Sequence, residues 1–182
     1  MLYKDSKENN ITTLEEWNNS FYRDSSKSSH WKEGYSAYSI ADFMLNNNGE
    51  VFISKLISDI LNEEIVLEKA YPEHEIRFDG FGQGRIHDLG IYGNTISSEN
   101  KKTIFIGVES KVNESFNDTI AKVYLKSKIK DLNKVSSNSS KRVETLLKRH
   151  FKLVNQEVFK LRYQLLYSTI GTIEAKCDIS IL

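Results

Sequence analysis

The chain has 182 residues, 39% of them hydrophobic and 27% charged, and its formal net charge is zero. These values suit one soluble globular domain, and no run of residues is apolar enough to cross a membrane. The polar N-terminus lacks the apolar core of a signal peptide. The single Cys177 excludes an internal disulfide and any multi-cysteine zinc site. We therefore expect a cytoplasmic protein that has no membrane partner.

The charges are unevenly placed along the chain. Residues 1–118 carry 12 Lys and Arg against 20 Asp and Glu, whereas residues 119–162 carry 12 against 3. This asymmetry is compatible with an acidic half that binds metal and a basic half that meets phosphates. Lysines that only solvate helix faces would give the same pattern.

In chain order, residues 1–30 come first and are rich in Asn, Ser, Lys and acids, which predicts an N-terminal appendage. A helix capped by Ser28 or Ser29 is predicted to run to about Leu45, where three asparagines and a glycine end it. The apolar spacing that follows predicts a second helix that ends at about Asn62.

The middle of the chain has a strand-like pattern. Residues 65–71 predict a strand that residues 75–78 continue or pair with, and Pro72 between them marks a bend or an edge. Residues 86–92 and 102–112 predict two more strands. The second of these is the most apolar and is therefore expected at the centre of the sheet.

The last third of the chain returns to helical periodicity. Helices are predicted at about residues 118–130 and 141–151, followed by a longer helix at 156–175. The tail at 177–182 alternates like a terminal strand.

Two short motifs carry the chemistry of the sequence. Glu109-Ser110-Lys111 ends the most apolar strand, and Asp88 lies one strand earlier. Because side chains alternate along a strand, we expect Glu109 and Lys111 to point to the same space. If Asp88 reaches that space, two carboxylates meet beside a lysine, and such oxygen ligands suit Mg²⁺ or Mn²⁺ in phosphoryl chemistry. These residues predict a nuclease; the alternative is a solvated strand end with an ion pair.

The element order, with Asp88 on one strand and Glu109-x-Lys111 on the next, resembles the PD-(D/E)XK nuclease-like superfamily. The flanking residues, including the segment 72–75, are similar to a bacterial branch of it. One departure is His87, which stands where the family usually has a proline.

The resemblance implies an α/β fold over residues 31–182 with a restriction-endonuclease-like core. That core is a mixed central β-sheet flanked by helices in αβββαβ order, with extra N-terminal and C-terminal helices. The implied activity is a Mg²⁺- or Mn²⁺-dependent endonuclease that hydrolyses phosphodiester bonds in DNA, in restriction, defence or repair. A homodimer follows by analogy. RNA stays open as a substrate, and the rival function is an inactive module that binds nucleic acid or a protein partner.

The resemblance also implies roles for individual residues. Asp88 and Glu109 would bind the metal ion, with the Ser110 carbonyl as a further ligand. Lys111 would orient or deprotonate the attacking water and stabilise the charge on the phosphate. A further acid from the preceding helix often completes such a site, and Glu50 is our choice. The alternative for Glu50 is an ordinary first-turn acid favoured by the helix dipole.

Four residues are candidates for a supporting or substrate-binding role: His87, Glu114, Arg162 and Gln164. His87 could contact phosphate or metal, but a histidine beside an acid is commonly a hydrogen-bonded strand residue. Glu114 follows the motif and could equally cap the next helix. Arg162 and Gln164 lie on the predicted late helix, where they could touch a nucleic-acid backbone or only support packing.

Overall fold

The protein is described by a computed structural model that covers residues 1–21, 31–96, 100–113, 115–116 and 118–182. The fold is α/β, with one open, mixed sheet of five strands flanked by helices. The strands are β1 (Leu2–Tyr3), β2 (Ile65–Ile76), β3 (Arg85–Thr95), β4 (Thr103–Val108) and β5 (Ile179–Ile181). The helices are α1 (Leu14–Phe21), α2 (Ser36–Asn46), α3 (Gly49–Leu61), α4 (Ile120–Leu132), α5 (Ser139–His150), α6 (Gln156–Lys160) and α7 (Tyr163–Ile173).

The strands lie in the sheet in chain order, from β1 to β5. β2, β3 and β4 are antiparallel neighbours, whereas β1 runs parallel to β2 and β5 runs parallel to β4. Because parallel neighbours need a long crossover, the helices α4 to α7 lie between β4 and β5 in the chain. Among the described residues, no helix is long and apolar enough to span a membrane.

One face of the sheet packs against α2 and α3. Ile57 of α3 and Met44 of α2 are buried in this core together with the inward residues of the central strands. Those strand residues are Leu67, Ala70, Leu89, Ile91, Ile104 and Ile106. Alternation places Leu89 and Ile91 on the same face. The predicted helix that ends near Asn62 is confirmed, since Asn62 takes the left-handed conformation that terminates helices.

The opposite face of the sheet contacts α7, which packs against β3, β4 and β5. α4, α5 and α6 form a second apolar cluster beside it, with Ile120, Val143, Leu147 and Val158 at its centre. α5 is also tied to the turn between β2 and β3, because Arg142 donates from Nε and Nη2 to Asp79 at 2.8 and 2.9 Å. The sheet therefore has helices on both of its faces.

The N-terminal segment packs with the rest of the fold. β1 adds an edge strand to β2, and Ile11 and Trp17 lie in the same core as the central strands. Thr13 caps α1, since the Glu16 amide donates to Thr13 Oγ1 at 3.1 Å and the Glu16 carboxylate accepts from the Thr13 amide. A separate appendage over residues 1–30 was expected, but its described part contributes a strand and core residues.

Three predicted elements have different bounds in the structure. β2 runs through Pro72 as one strand. Proline has no amide hydrogen to donate, but it is tolerated here because β1 pairs with β2 only as far as Ala70, so Pro72 lies on an edge of the sheet. α2 begins at Ser36, and the predicted caps Ser28 and Ser29 lie outside the described residues. The predicted long helix at 156–175 is divided into α6 and α7.

Candidate functional site

The pairing of β2 and β3 is interrupted at Glu73 and Asp88. The regular register skips these two residues, and Glu73 has a φ of 49°. On one side of the interruption Leu89 lies in the apolar core. On the other side the His87 ring lies against Gly107, where an added Cβ would be 2.7 Å from the ring, so His87 is on the opposite face. His87 and Leu89, two residues apart in β3, therefore point to opposite faces of the sheet. Asp88 lies between them, so simple alternation does not give the direction of its side chain.

The acid-x-Lys motif lies just beyond the end of a strand. β4 ends at Val108, so Glu109, Ser110 and Lys111 follow it, and the expectation that alternation sets their directions does not apply. The link to the neighbouring strand is a hydrogen bond instead, because the Ser110 amide donates to Oδ2 of Asp88 at 2.7 Å. This contact brings the two predicted motifs together.

Glu109 is the most heavily bonded side chain of the site. Its Oε1 pairs with a terminal guanidinium nitrogen of Arg85 and lies 3.2 Å from Nδ1 of His87. Its Oε2 accepts a hydrogen bond from Nε2 of Gln164 at 3.1 Å. The Glu109 side chain is only 5% exposed, so these three partners compensate a carboxylate that has lost most of its water.

Glycines allow α7 to approach the strands closely enough for Gln164 to reach Glu109. A Cβ on Gly107 would lie 2.7 Å from the His87 ring and 2.7 Å from Oγ1 of Thr172 in α7. A Cβ on Gly171 would lie 2.7 Å from the Cβ of Arg85. Because neither glycine has a Cβ, α7 can lie closer to β3 and β4 here than side chains at these positions would allow.

The two carboxyl groups have opposite pKa shifts. Burial raises the pKa of Asp88, and the negative charge of Glu109 raises it further, while the hydrogen bond from the Ser110 amide and the ammonium of Lys111 partly offset this. Burial also acts to raise the pKa of Glu109, but the hydrogen bonds from His87 and Arg85 outweigh it and the pKa is lowered. The pair thus combines a carboxyl that binds a proton more readily with one that stays ionised.

His87 supports Glu109 and does not face solvent. The side chain is fully buried, and its Nε2 has no hydrogen-bond partner among the described residues. Because an ionised carboxylate can only accept, Nδ1 is the donor in the contact with Glu109. Its burial and its contact with Glu109 favour the predicted alternative of a hydrogen-bonded strand residue over a contact with phosphate.

The remaining candidates have different positions. Gln164 is at the site, in the first turn of α7. Arg162 is exposed and lies just before α7. The pKa of Asp118 is lowered mainly by the hydrogen bond and charge of Lys126, then by the charge of Lys122, and to a smaller extent by the charge of Arg162. Glu114 lies outside the described residues.

Glu50 is not brought to the other two acids. Its Oε1 lies 2.6 Å from the amino nitrogen of Met1, next to β1, and its charge acts on Tyr3. Among the described residues, no group of three or more His, Cys, Asp or Glu side chains is placed to hold a metal ion. The choice of Glu50 as a metal ligand is therefore corrected: it is a first-turn acid of α3 that pairs with the amino group of Met1.

The remaining donor set still suits a magnesium-type ion. Mg²⁺ keeps several waters and is commonly bound by only one or two carboxylates, so Asp88 and Glu109 are ligands of the type and number that such an ion takes. The geometric link between the two acids is the Ser110 amide, which follows Glu109 in the chain and donates to Asp88. The guanidinium of Arg85 competes for the same Glu109 oxygen, which is the main feature opposed to an ion there.

Arg85 is the site residue that sequence reasoning missed. It lies two residues before His87, and alternation would have placed both on one face. The predicted strand began at residue 86, which left Arg85 in the preceding turn. A strand predicted to begin at residue 85 would have placed Arg85 on the same face as His87 and indicated that it belongs to the site.

At least half of the Lys and Arg residues in the basic segment form ion pairs within the chain. At least six of the twelve Lys and Arg residues between 119 and 162 pair with carboxylates in the described part of the chain. These six are Lys122, Lys126, Lys128, Arg142, Arg149 and Lys160. The positive surface available to a phosphate backbone is therefore smaller than the sequence count suggests.

Comparison with known proteins gives one match. No curated protein and no solved structure matches the chain. One family model, described as a domain of unknown function (DUF6946), matches residues 10–178. This range includes Trp17 in the core as well as Asp88, Glu109 and Gln164 at the candidate site. The chain therefore belongs to the family described as domain of unknown function DUF6946.

Proposed function

We propose that this protein is a divalent-metal-dependent nuclease that hydrolyses phosphodiester bonds in DNA. The observation that carries the proposal is the hydrogen bond from the Ser110 amide to Asp88, which brings the Glu109-Ser110-Lys111 motif beside the acid of the neighbouring strand. The negative charge of Glu109 also raises the pKa of Asp88. Lys111 adds a cation that acts on Asp88 at the same place. Two acids and a lysine at adjacent strand ends are the residue types that phosphoryl hydrolysis uses.

The topology supports a restriction-endonuclease-like core for this proposal. α3 precedes three antiparallel strands, and the crossover that starts with α4 returns to β5, which is parallel to β4. This is the αβββαβ order with added helices. Asp88 lies on the second strand of the meander and Glu109 follows the third, as the resemblance requires.

Each residue has a stated part in this reaction. A bound Mg²⁺ or Mn²⁺ would polarise the phosphate and supply a water of lowered pKa. Asp88 and Glu109 would hold the ion, while Arg85, His87 and Gln164 fix the orientation of the Glu109 carboxylate. Lys111 would stabilise the negative charge that develops on the phosphate oxygens as water attacks and the P–O bond breaks.

One observation favours a second function, a nuclease-fold module without turnover. Both oxygens of Glu109 already accept from the chain's own side chains, and Arg85 neutralises its charge. A site of this kind would bind nucleic acid or a protein partner and leave the substrate intact. Under this alternative the carboxylates have a structural role.

A cleavage assay with matched variants separates the two functions. We expect the full chain to cut supercoiled, linear or single-stranded DNA in Mg²⁺ or Mn²⁺ but not in EDTA, with RNA of the same sequence as the comparison substrate. Asp88→Asn and Lys111→Ala should each lower the rate by about 100-fold or more. Glu64→Gln, which removes an exposed carboxylate, serves as the control and should leave the rate unchanged.

Metal binding gives an independent measurement. Mn²⁺ binding, followed by water-proton relaxation, should be clear in the wild type and in Glu64→Gln and should be lost in Asp88→Asn. If wild type and Lys111→Ala behave identically on every substrate, the catalytic proposal is wrong. DNA binding that survives Asp88→Asn, in a protein that shows no Mn²⁺ site, would establish the module instead.

A further inference from the structure

α3 carries a row of large apolar side chains that point into solvent. Phe52, Leu56 and Ile60 are 59%, 45% and 65% exposed, and they recur every four residues along one face of the helix. Ile57, on the other face, is buried against the sheet. We call Phe52, Leu56 and Ile60 the α3 stripe. A contiguous apolar row of this kind usually marks a binding surface.

The α3 stripe is preformed. The Phe52 ring packs edge-on against Phe43 of α2, with 5.8 Å between ring centroids and 75° between planes. α3 itself is anchored to the sheet through Ile57. A partner would therefore meet an ordered surface, and little conformational entropy would be lost on association.

The residues of this chain outside the described ranges lack the chemistry to cover the stripe. The segment 22–30 reads Tyr-Arg-Asp-Ser-Ser-Lys-Ser-Ser-His, and 97–99 reads Ser-Ser-Glu. Apart from one tyrosine these residues are polar or charged, so they offer no apolar row of their own. These two segments therefore do not supply an apolar partner for the stripe.

The charges on one flank of the stripe are complementary to the same charges on a second copy of the chain. Lys55 and Asp59 are both exposed on one flank of the stripe, and neither forms an ion pair with a described residue. When two antiparallel helices pack about a two-fold axis, the same flank of both helices meets. With Leu56 near the axis, Lys55 of each copy faces Asp59 of the other, while Phe52 packs against Ile60.

A second exposed apolar row shows why the charges decide the partner. On α4, Leu125, Ile129 and Leu132 are also exposed, but the lysines on the neighbouring flank, Lys122 and Lys126, pair with Asp118 of the same chain. These charges are already used within the chain, so they give no complementary pattern that would direct a two-fold pairing of α4. The α3 stripe does have such a pattern, and the zero net charge of the chain adds no overall repulsion between copies.

From these observations we infer that the α3 stripe is the interface between two copies of this chain, packed as an antiparallel α3 pair about a two-fold axis. α3 covers the sheet face opposite to α7. The dimer therefore leaves α7 and the basic helices of each copy uncovered. The inference is independent of the proposed nuclease activity.

Sedimentation equilibrium of the full chain across the micromolar range tests this interface. We expect the wild type to have twice the mass of one chain and Leu56→Glu to have the mass of a single chain. Ile129→Glu is the matched control, since Ile129 is 47% exposed on α4, and it should stay dimeric. Far-UV circular dichroism should be the same for all three proteins.

Charge reversal tests the antiparallel register and does not depend on an apolar substitution. Lys55→Glu and Asp59→Lys should each weaken the dimer by about tenfold, because each places like charges face to face. The double variant, with both charges reversed, should recover the wild-type affinity. A wild type of single-chain mass, which would assign the stripe to a different protein, overturns the inference. So does a dimer that survives Leu56→Glu, or a double variant that fails to recover.

Discussion

At the scale of single residues, Arg85 and Glu109 dominate the energetics of the site. The Arg85 side chain is 14% exposed and Glu109 is 5% exposed, so the pair lies almost entirely out of water. Removing one partner of a buried pair leaves an uncompensated charge. We predict that Arg85→Met lowers the free energy of unfolding at neutral pH by about 3–5 kcal/mol, as measured by urea denaturation.

Two matched variants check the cause of that loss. Glu109→Gln combined with Arg85→Met should recover most of the stability, because no charge is then left unpaired. Arg149→Met breaks an ion pair with Glu174 in which the arginine is 55% exposed, and it should cost less than about 1 kcal/mol. Equal losses for the two arginine variants would contradict a special role for burial at Glu109.

The pH dependence of this loss has a defined sign. Although burial acts to raise it, the pKa of Glu109 is lowered in the folded state by His87 and Arg85. A carboxyl of this kind stabilises the fold above its unfolded pKa, and the contribution is lost as the pH falls through its folded pKa. We therefore predict that the stability difference between wild type and Arg85→Met shrinks from pH 7 to about pH 4. A constant difference in urea denaturation would exclude Glu109 as the group responsible.

The sequence could identify only part of this residue network. Asp88 and Glu109 were predictable because the motif and the strand order place them on neighbouring strands. Arg85 was not, because its role depends on where β3 begins and on the change of face at Asp88. Glu50 was chosen from its place in the chain, but its carboxylate lies beside β1. The position of Glu50 in the chain could not show which part of the sheet its carboxylate lies beside.

At the scale of elements, the contact between α7 and the sheet positions the site. Gly107 faces the His87 ring and Thr172 at distances that leave no room for a methyl group. We predict that Gly107→Ala lowers the free energy of unfolding by about 1–3 kcal/mol, since α7 must move away from β4. The same movement should separate Gln164 from Glu109 and raise the pKa of Glu109 in a carboxyl-detected NMR titration.

A second glycine provides the control for this prediction. Gly80 has open space where its Cβ would lie, so Gly80→Ala should change stability by less than about 0.5 kcal/mol. If the two alanine variants were equally stable, close packing of α7 would not be what sets the site geometry.

The boundaries of elements show where local pattern stops being sufficient. α3 was predictable because its apolar residues repeat at helical spacing. The division between α6 and α7 was not, because its cause is tertiary. The chain at Leu161 accepts a hydrogen bond from the Ile120 amide at 2.9 Å, and Arg162 forms a bridge with Thr119. These contacts with the start of α4 hold Leu161 and Arg162 in an extended conformation.

At the scale of the whole molecule, the order of elements was predictable but the extent of the core was not. Three strands followed by helices and a terminal strand could be predicted from periodicity, and the sheet has that order. The polar composition of residues 1–30 predicted an appendage. A few apolar residues, Ile11 and Trp17 among them, were enough to place the described part of this segment in the main core. The average composition of a segment does not show that a few of its apolar residues are buried in the core.

Trp17 tests whether the N-terminal segment and the sheet unfold together. Trp17 is fully buried and packs near Tyr3 of β1, with 5.5 Å between ring centroids. We predict that Trp17→Ala lowers the free energy of unfolding of the entire chain by about 3–5 kcal/mol. Leu2→Ala, at a side chain that is 54% exposed in the same segment, should cost far less. The measurement is urea denaturation followed both by far-UV circular dichroism and by Trp31 fluorescence. Because one cooperative core has one transition, the two signals should shift together in Trp17→Ala. A shift in neither signal would show that the first helix is an independent appendage.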